Sequence, residues 1–147
     1  MPYLFDTDAI SELLRSRPAA VYVEWLRAVP REDQFTSAVV LGELYRGAFR
    51  SPARERHLAN IRKRVLPAVT VLPYDAAVAE VYGVLSAELE KAGRTLADAD
   101  IQIAATAVYH NLELVTGNLR HFVRIPQLQC EPVLANARRS WSKGPFR

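Results

Sequence analysis

The chain has little of what several familiar protein classes are built from. Cysteine occurs once, at Cys130, so there is neither a disulfide framework nor a paired-cysteine metal knuckle. A lone cysteine of this kind is ordinarily a small apolar packing residue. Lysine occurs three times, at Lys63, Lys91 and Lys143, which leaves lysine-based chemistry few candidates. No apolar run approaches the roughly 20 residues of a membrane span. The opening Met1-Pro2-Tyr3-Leu4-Phe5-Asp6 has neither the basic start nor the long apolar stretch of a signal peptide. These absences point to the cytoplasm, away from membranes. Nucleotide motifs are missing too. There is no Gly-x-Gly-x-x-Gly, and Gly42 to Gly47 lacks the Lys-Ser/Thr of a phosphate loop. No Gly-x-Ser-x-Gly elbow supports a serine hydrolase. His57, His110 and His121 have no metal-ligand spacing to one another.

What remains is a single domain's worth of chain. It has 147 residues, of which 50% are hydrophobic and 24% charged, enough to bury a core. The net charge is only +3, too mild for a nucleic-acid module that works by bulk charge alone. The basic residues are mostly arginine, whose planar fork suits phosphate.

Short apolar runs alternate with helical patterns, which predicts an α/β fold of about five strands in a parallel sheet. Strands are expected at Tyr3-Leu4-Phe5, at Phe35-Thr36-Ser37, over Val69–Leu72, over Glu113–Thr116 and around Cys130 to Leu134. Helices are expected after Asp6, from Pro18 toward Pro30, from Ala38 to Phe49, and around Leu58, Ile61 and Val65. Val78, Val81, Tyr82, Leu85 and Leu89 form the clearest amphipathic stripe, with Gly93 as its stop. An alanine-rich helix follows over Asp98 to His110. The domain is expected to span residues 1–135, with 136–147 as a basic surface tail holding Arg138, Arg139, Lys143 and Arg147.

Most acids fall on solvated faces or in loops, but three do not fit that account. Asp6 directly follows the first strand, where the carboxyl ends of a parallel sheet open into a ligand crevice. Asp is equally at home there as an N-cap, and position alone leaves both roles open. Glu43 lies on the inward helical face of Val39, Val40 and Gly47, with pairing to Arg46 or Arg50 as the simpler alternative. Asp100 shares a face with Ile103, Ala104 and Ala107, where alanines let the helix approach the sheet. Asp98 and Asp100 both sit in a first helical turn, and capping explains one of them, most naturally Asp98. Three acids converging on one crevice repel each other and need a cation. Oxygen-only ligands select hard Mg²⁺ or Mn²⁺, the ions of phosphodiester hydrolysis.

Between Glu43 and Arg64 there are seven basic residues and two acids. The stretch reads as a helix pair whose exposed Arg46, Arg50, Arg54 and Arg62 form an electrostatic rail for a phosphate backbone. A plain solvated face accounts for the same charges. Tyr45 and Phe49 among them are placed either to stack on bases or to pack in the core.

Phe5-Asp6-Thr7-Asp8-Ala9-Ile10 resembles the Asp-x-Asp opening of haloacid-dehalogenase-type phosphatases, but Ile10 stands where those enzymes have Thr or Val. A second resemblance covers about residues 3 to 134. Leu4-Phe5-Asp6-Thr7-Asp8, then Thr36-Ser37-Ala38-Val39-Val40-Leu41-Gly42-Glu43-Leu44, then Asp100-Ile101-Gln102-Ile103-Ala104-Ala105, then Thr116-Gly117-Asn118-Leu119-Arg120-His121-Phe122 follow in order. Together they resemble the PIN-domain ribonucleases, and within them the VapC-like toxins of bacterial toxin–antitoxin pairs. That resemblance implies a five-stranded parallel sheet between helices, usually as a homodimer. It implies Asp6, Glu43 and Asp100 as catalytic and metal-binding residues for Mg²⁺, or Mn²⁺ in its place. Asp98, Asn118, Ser37 and Thr116 are the auxiliary candidates. Many relatives carry a fourth acid where this chain has Asn118, which brings no charge. RNA would be the substrate and a small antitoxin the partner. A non-catalytic RNA- or protein-binding domain on the same fold is the other reading.

Overall fold

A computed structural model describes residues 2–142, with side chains through residue 139. Five parallel strands form one sheet in the order β3-β2-β1-β4-β5. The strands are β1 (Tyr3–Phe5), β2 (Gln34–Ser37), β3 (Thr70–Leu72), β4 (Glu113–Val115) and β5 (Cys130–Glu131). Between them run α1 (Thr7–Leu13), α2 (Ala20–Arg27), α3 (Ala38–Arg50), α4 (Arg54–Asn60), α5 (Ala76–Lys91), α6 (Asp98–Tyr109), α7 (Leu119–Phe122) and α8 (Val133–Ser142). The helix carried by Leu58, Ile61 and Val65 is α4 followed by a π-helical turn over Ile61–Val65.

β1 is central and pairs with β2 on one side and β4 on the other, with Leu4 opposite both Phe35 and Leu114. From β1 the chain builds outward to β2 and β3, then crosses back to add β4 and β5. The order therefore reverses between β1 and β4. In parallel sheets the crevice for ligands opens at the carboxyl ends of such a pair of strands. Asp6 and Thr116 are the residues that follow β1 and β4.

The sheet is buried on both faces, so its strands read as apolar runs rather than alternations. Leu4, Phe5, Leu114 and Val115 are essentially inaccessible, as are Val40, Val78, Ile103 and Phe122 on the covering helices. Two fully buried hydroxyls are satisfied by main-chain carbonyls. The Tyr22 hydroxyl donates to the Ala9 carbonyl at 3.0 Å, and the Thr36 hydroxyl donates to the Phe5 carbonyl at 2.8 Å. Ala104, Ala105 and Ala107 have no exposed surface, which is the close approach of α6 that its alanines predict. Gly93 ends α5 with φ 68°, in the left-handed region that favours glycine.

Two expectations at the carboxyl end need correction. The strand expected from Cys130 to Leu134 is only Cys130–Glu131. Pro132 has no N–H for a ladder and suits a helix start. The Glu131 carboxylate accepts from the Val133 N–H at 3.0 Å, and Leu134 becomes a buried residue of α8. The expected tail from residue 136 likewise lies partly within α8, so a boundary at 135 cuts a helix. Lys143 and Arg147 lie outside the described residues. Cys130 is half-buried against the core, and burial pushes its thiol up to about 11. Among the described residues no helix is long and apolar enough to cross a membrane.

Leu114 packs at the centre of this core with no exposed surface. Leu114→Ala is expected to cost about 2–5 kcal/mol, read as a lower midpoint in urea unfolding followed by tryptophan fluorescence. A loss below about 1 kcal/mol would contradict the central placement of β4.

Candidate active site at the carboxyl ends of the strands

Asp6 is fixed by backbone before its side chain is considered. Its N–H donates to the Val115 carbonyl at 3.2 Å, which extends the β1–β4 ladder by one residue. The next residue begins α1, and the Asp6 carboxylate caps that helix by accepting from the Ala9 N–H at 2.8 Å. The two roles left open by position are therefore both real. Asp6 caps α1 and also faces a cleft of about 410 Å³. It is only 5% exposed.

Glu43 reaches the same cleft from the second turn of α3, and Asp100 from the first turn of α6. The Thr7 hydroxyl donates to Glu43 at 2.5 Å and so ties α3 to the start of α1. Among the described residues Glu43 forms no ion pair with Arg46 or Arg50. His121 Nδ1 lies 4.0 Å from the Asp100 carboxylate and 2.8 Å from Asn118 Nδ2.

Electrostatics show what this crowding costs. Burial, reinforced by the negative charges of Asp8 and Asp100, pushes the Asp6 carboxyl up to about 7, while hydrogen bonds from Thr116 and Ala9 pull the other way. Asp100 is raised in the same sense, by burial first and by the Glu43 charge second, with His121 opposing. The metal-free cleft thus holds more carboxylate than it can readily ionise. Its donor set is all oxygen, and a divalent cation would remove the repulsion, so the residues present fit a hard ion. Among the described residues no three His, Cys, Asp or Glu side chains already stand close enough to form a closed ligand shell. The carboxylates line the cleft; an ion would have to draw them together.

The auxiliary residues divide. Asn118 lines the cleft and stands just before α7, where its side chain meets His121 rather than capping the helix. Thr116 is fully buried, supports Asp6, and accepts from the Asn118 N–H at 2.9 Å. Ser37 is away from the cleft; it caps α3 by accepting from the Val40 N–H at 3.1 Å, and so sets where Glu43 falls. Asp98 is exposed and takes a hydrogen bond from Tyr82 at 2.9 Å instead of entering the site. It does not cap α6 either, because the cap position is Ala97.

Arg46, Arg50, Arg54 and Arg62 are all exposed, on or just beyond α3 and α4, but none lines the groove beside the cleft. That groove, of about 990 Å³, shares Thr7 and Glu43 with the cleft and takes its cations from Arg15, Arg56 and Arg64. Tyr45 packs partly on the core, whereas Phe49 is exposed and lies under the Arg54 guanidinium at 5.6 Å.

Sequence reasoning misses the cation of the cleft itself. Arg138 reaches in from α8 and makes a two-pronged ion pair with Asp8 at 2.6 and 3.0 Å. It also grips Glu12, which is 3% exposed, at 2.9 and 3.2 Å. The ion pair consumes Asp8, so Asp6 and Asp8 do not form the free carboxylate pair of an Asp-x-Asp phosphatase. Gly117 makes room for it, since a Cβ there would collide with both Arg138 and Asp8. One signal is present in the sequence. Asp8 and Glu12 are like charges four apart on a helix, an unfavourable pair without a cation between them.

Comparison with known proteins identifies the family. The model of the PIN domain family matches residues 3–128. A "Ribonuclease VapC2" of Haemophilus influenzae is 33% identical over 131 residues, covering 89% of this chain and 97% of that protein. A "tRNA(fMet)-specific endonuclease VapC" of Shigella flexneri is 34% identical over 131 residues, with the same coverage. The structure of a DNA-bound VapBC from Salmonella typhimurium superposes with a TM-score of 0.82 at 31% identity, over 89% of this chain and 97% of that one. The chain belongs to the PIN-domain family, among the VapC-type endoribonucleases of toxin–antitoxin systems. Enzymes of this group depend on metal.

The pH dependence of the metal-free protein follows from Asp6. Its folded pKa lies above its unfolded value of 3.8, so the folded state binds more protons between those values. The Asp6 contribution to stability is full below about pH 4 and is lost as pH rises toward about 7. In EDTA, Asp6→Asn is expected to gain stability relative to the parent chain on going from pH 5 to pH 8, measured by urea unfolding. A difference between the two proteins that does not change with pH would contradict it.

Proposed function

We propose that this endoribonuclease works with Mg²⁺, or Mn²⁺ in its place, held by Asp6, Glu43 and Asp100. The observation that carries the proposal is the meeting of Asp6, which is buried, with Glu43 and Asp100 in one cleft at the carboxyl ends of the strands. Such a site repels itself and is well matched to a hard cation. Bound there, the ion supplies an activated water and offsets the charge that builds on the phosphate oxygens.

The chain's own groups do the rest. Asp6, at the end of β1, and Asp100, on α6, define the ion's place. Glu43 completes the oxygen set or orients the attacking water, and the Thr7 hydroxyl fixes its rotamer. Asn118 holds water or phosphate without adding charge to an already crowded cleft. Burial of the cleft floor by Ile103 and Phe122 keeps bulk water from its base.

RNA approaches along the groove between α1, α3 and α4, with Arg15, Arg56 and Arg64 on its walls and Arg46, Arg50, Arg54 and Arg62 providing a longer-range positive field. Because a relative is named as tRNA-specific, tRNA is the first substrate to try. The physiological partner is a small cognate antitoxin, as the VapBC neighbour suggests. The working form is a cytoplasmic homodimer.

Total RNA incubated with protein and Mg²⁺ is expected to be cut, and EDTA to stop it. Asp100→Asn should lower the rate at least about a hundredfold, equivalent to a few kcal/mol of transition-state stabilisation, with an unchanged thermal midpoint or a higher one. Cleavage that survives both EDTA and Asp100→Asn would overturn the proposal.

A further inference from the structure

On the side of the cleft away from the α1/α3/α4 groove lies a second hollow, of about 430 Å³. It shares Gly117, Asn118 and Arg138 with the cleft, and its remaining walls include Arg120, His121 and Arg139. Among the described residues no carboxylate lines it. The catalytic cleft has four acids and one arginine, so the polarity reverses across the wall that Gly117, Asn118 and Arg138 share. We propose that this hollow is a phosphate subsite of the RNA track, in which Arg138 and Arg120 hold the backbone on the far side of the scissile bond.

Several observations meet here. The three hollows are neighbours with shared walls: the outer groove and the cleft share Thr7 and Glu43, and the cleft and this hollow share Gly117, Asn118 and Arg138. A strand crossing the carboxylates therefore passes from cations to cations, with the scissile phosphate over the acids. Arg138 is pre-organised for contact. Of its five N–H donors, four are engaged by Asp8 and Glu12, and the fifth is on Nη1, the atom that a Gly117 side chain would strike. The guanidinium is thus anchored by two carboxylates, packs against Gly117 and lines both hollows. Anchoring in advance lowers the entropy lost when an arginine grips phosphate. Glycine at 117 leaves the room that the Arg138–Asp8 ion pair fills where the two hollows share a wall. Arg120 is exposed on α7 and adds charge to the wall without a structural burden.

This inference rests on the chain acting on RNA, and its test does not depend on turnover. Binding of a short fluorescent single-stranded oligoribonucleotide is followed by anisotropy in EDTA, so nothing is cut, across a series of KCl concentrations. Arg138→Gln and Arg120→Gln should each weaken binding, about tenfold for Arg138, which offers a charge-assisted bond. Each should also reduce the slope of log affinity against log salt by about 0.7, the loss of one phosphate contact on a single strand. Arg138→Gln strips cations from two acids and can lower stability. The Asp8→Asn, Glu12→Gln, Arg138→Gln triple variant removes that imbalance, and its salt slope should fall equally. A merely structural Arg138 would change the melting temperature but not the slope. Slopes equal to the parent's in the Arg120 and triple variants, or no oligoribonucleotide binding by the parent, would overturn the subsite. If binding depends on these arginines but total RNA with Mg²⁺ stays whole, the nuclease reading of the cleft fails while the subsite stands.

Discussion

The constraint on which this structure depends is the burial of one carboxylate at the end of its central strand. Asp6 is tied into the β1–β4 ladder by its backbone and caps α1 with its side chain, so it cannot move aside without loosening both. Its charge is disfavoured by burial and by neighbouring acids, and two hydrogen bonds only partly compensate. Every other feature of the site can be understood as managing that charge. Thr116 supports it, Arg138 neutralises nearby Asp8, Asn118 lines the cleft with a neutral amide, and the remaining excess is what a divalent cation would satisfy.

The same constraint explains why the net charge misleads. A value of +3 describes a chain whose opposite charges are sorted in space. Four acids line the cleft, while arginines line the hollows on either side of it. Averaging cancels what the fold separates. A phosphate backbone crossing such a surface meets attraction at both ends and, in the middle, a place that only a metal makes hospitable.

Much of this is legible in the amino-acid sequence. Buried parallel strands announce themselves as short apolar runs, and Tyr3-Leu4-Phe5 and Glu113-Leu114-Val115 do so. Position alone leaves Asp6 open between cap and ligand and Glu43 open between ion pair and ligand, and it is the ordered set of motifs that singles them out with Asp100; the fold brings all three to one cleft. Features set by long-range contact are not legible in this way. Arg138 reads as part of a basic tail because Asp8 and Glu12, its partners, are more than a hundred residues away in sequence. Asp98 reads as a cap because the Tyr82 hydroxyl that occupies it comes from another helix. The basic stretch falls on the expected helix pair, but the arginines it sends to the groove wall are Arg56 and Arg64 rather than Arg54 and Arg62, because which face of a helix meets the groove is set by packing against α1 and α3.

The central claim is that burial raises the Asp6 carboxyl to about 7, so that below this pH an entering cation must displace its proton. It is tested most directly by counting protons when the ion binds. Titration calorimetry of Mg²⁺ into the metal-free protein, in buffers of different ionisation enthalpy, gives that number. With Asp6 near a pKa of about 7, the account predicts release of about one proton per ion at pH 6 and little at pH 8, and no such release at pH 6 from Asp6→Asn. Mg²⁺ binding without proton release at pH 6 would contradict it.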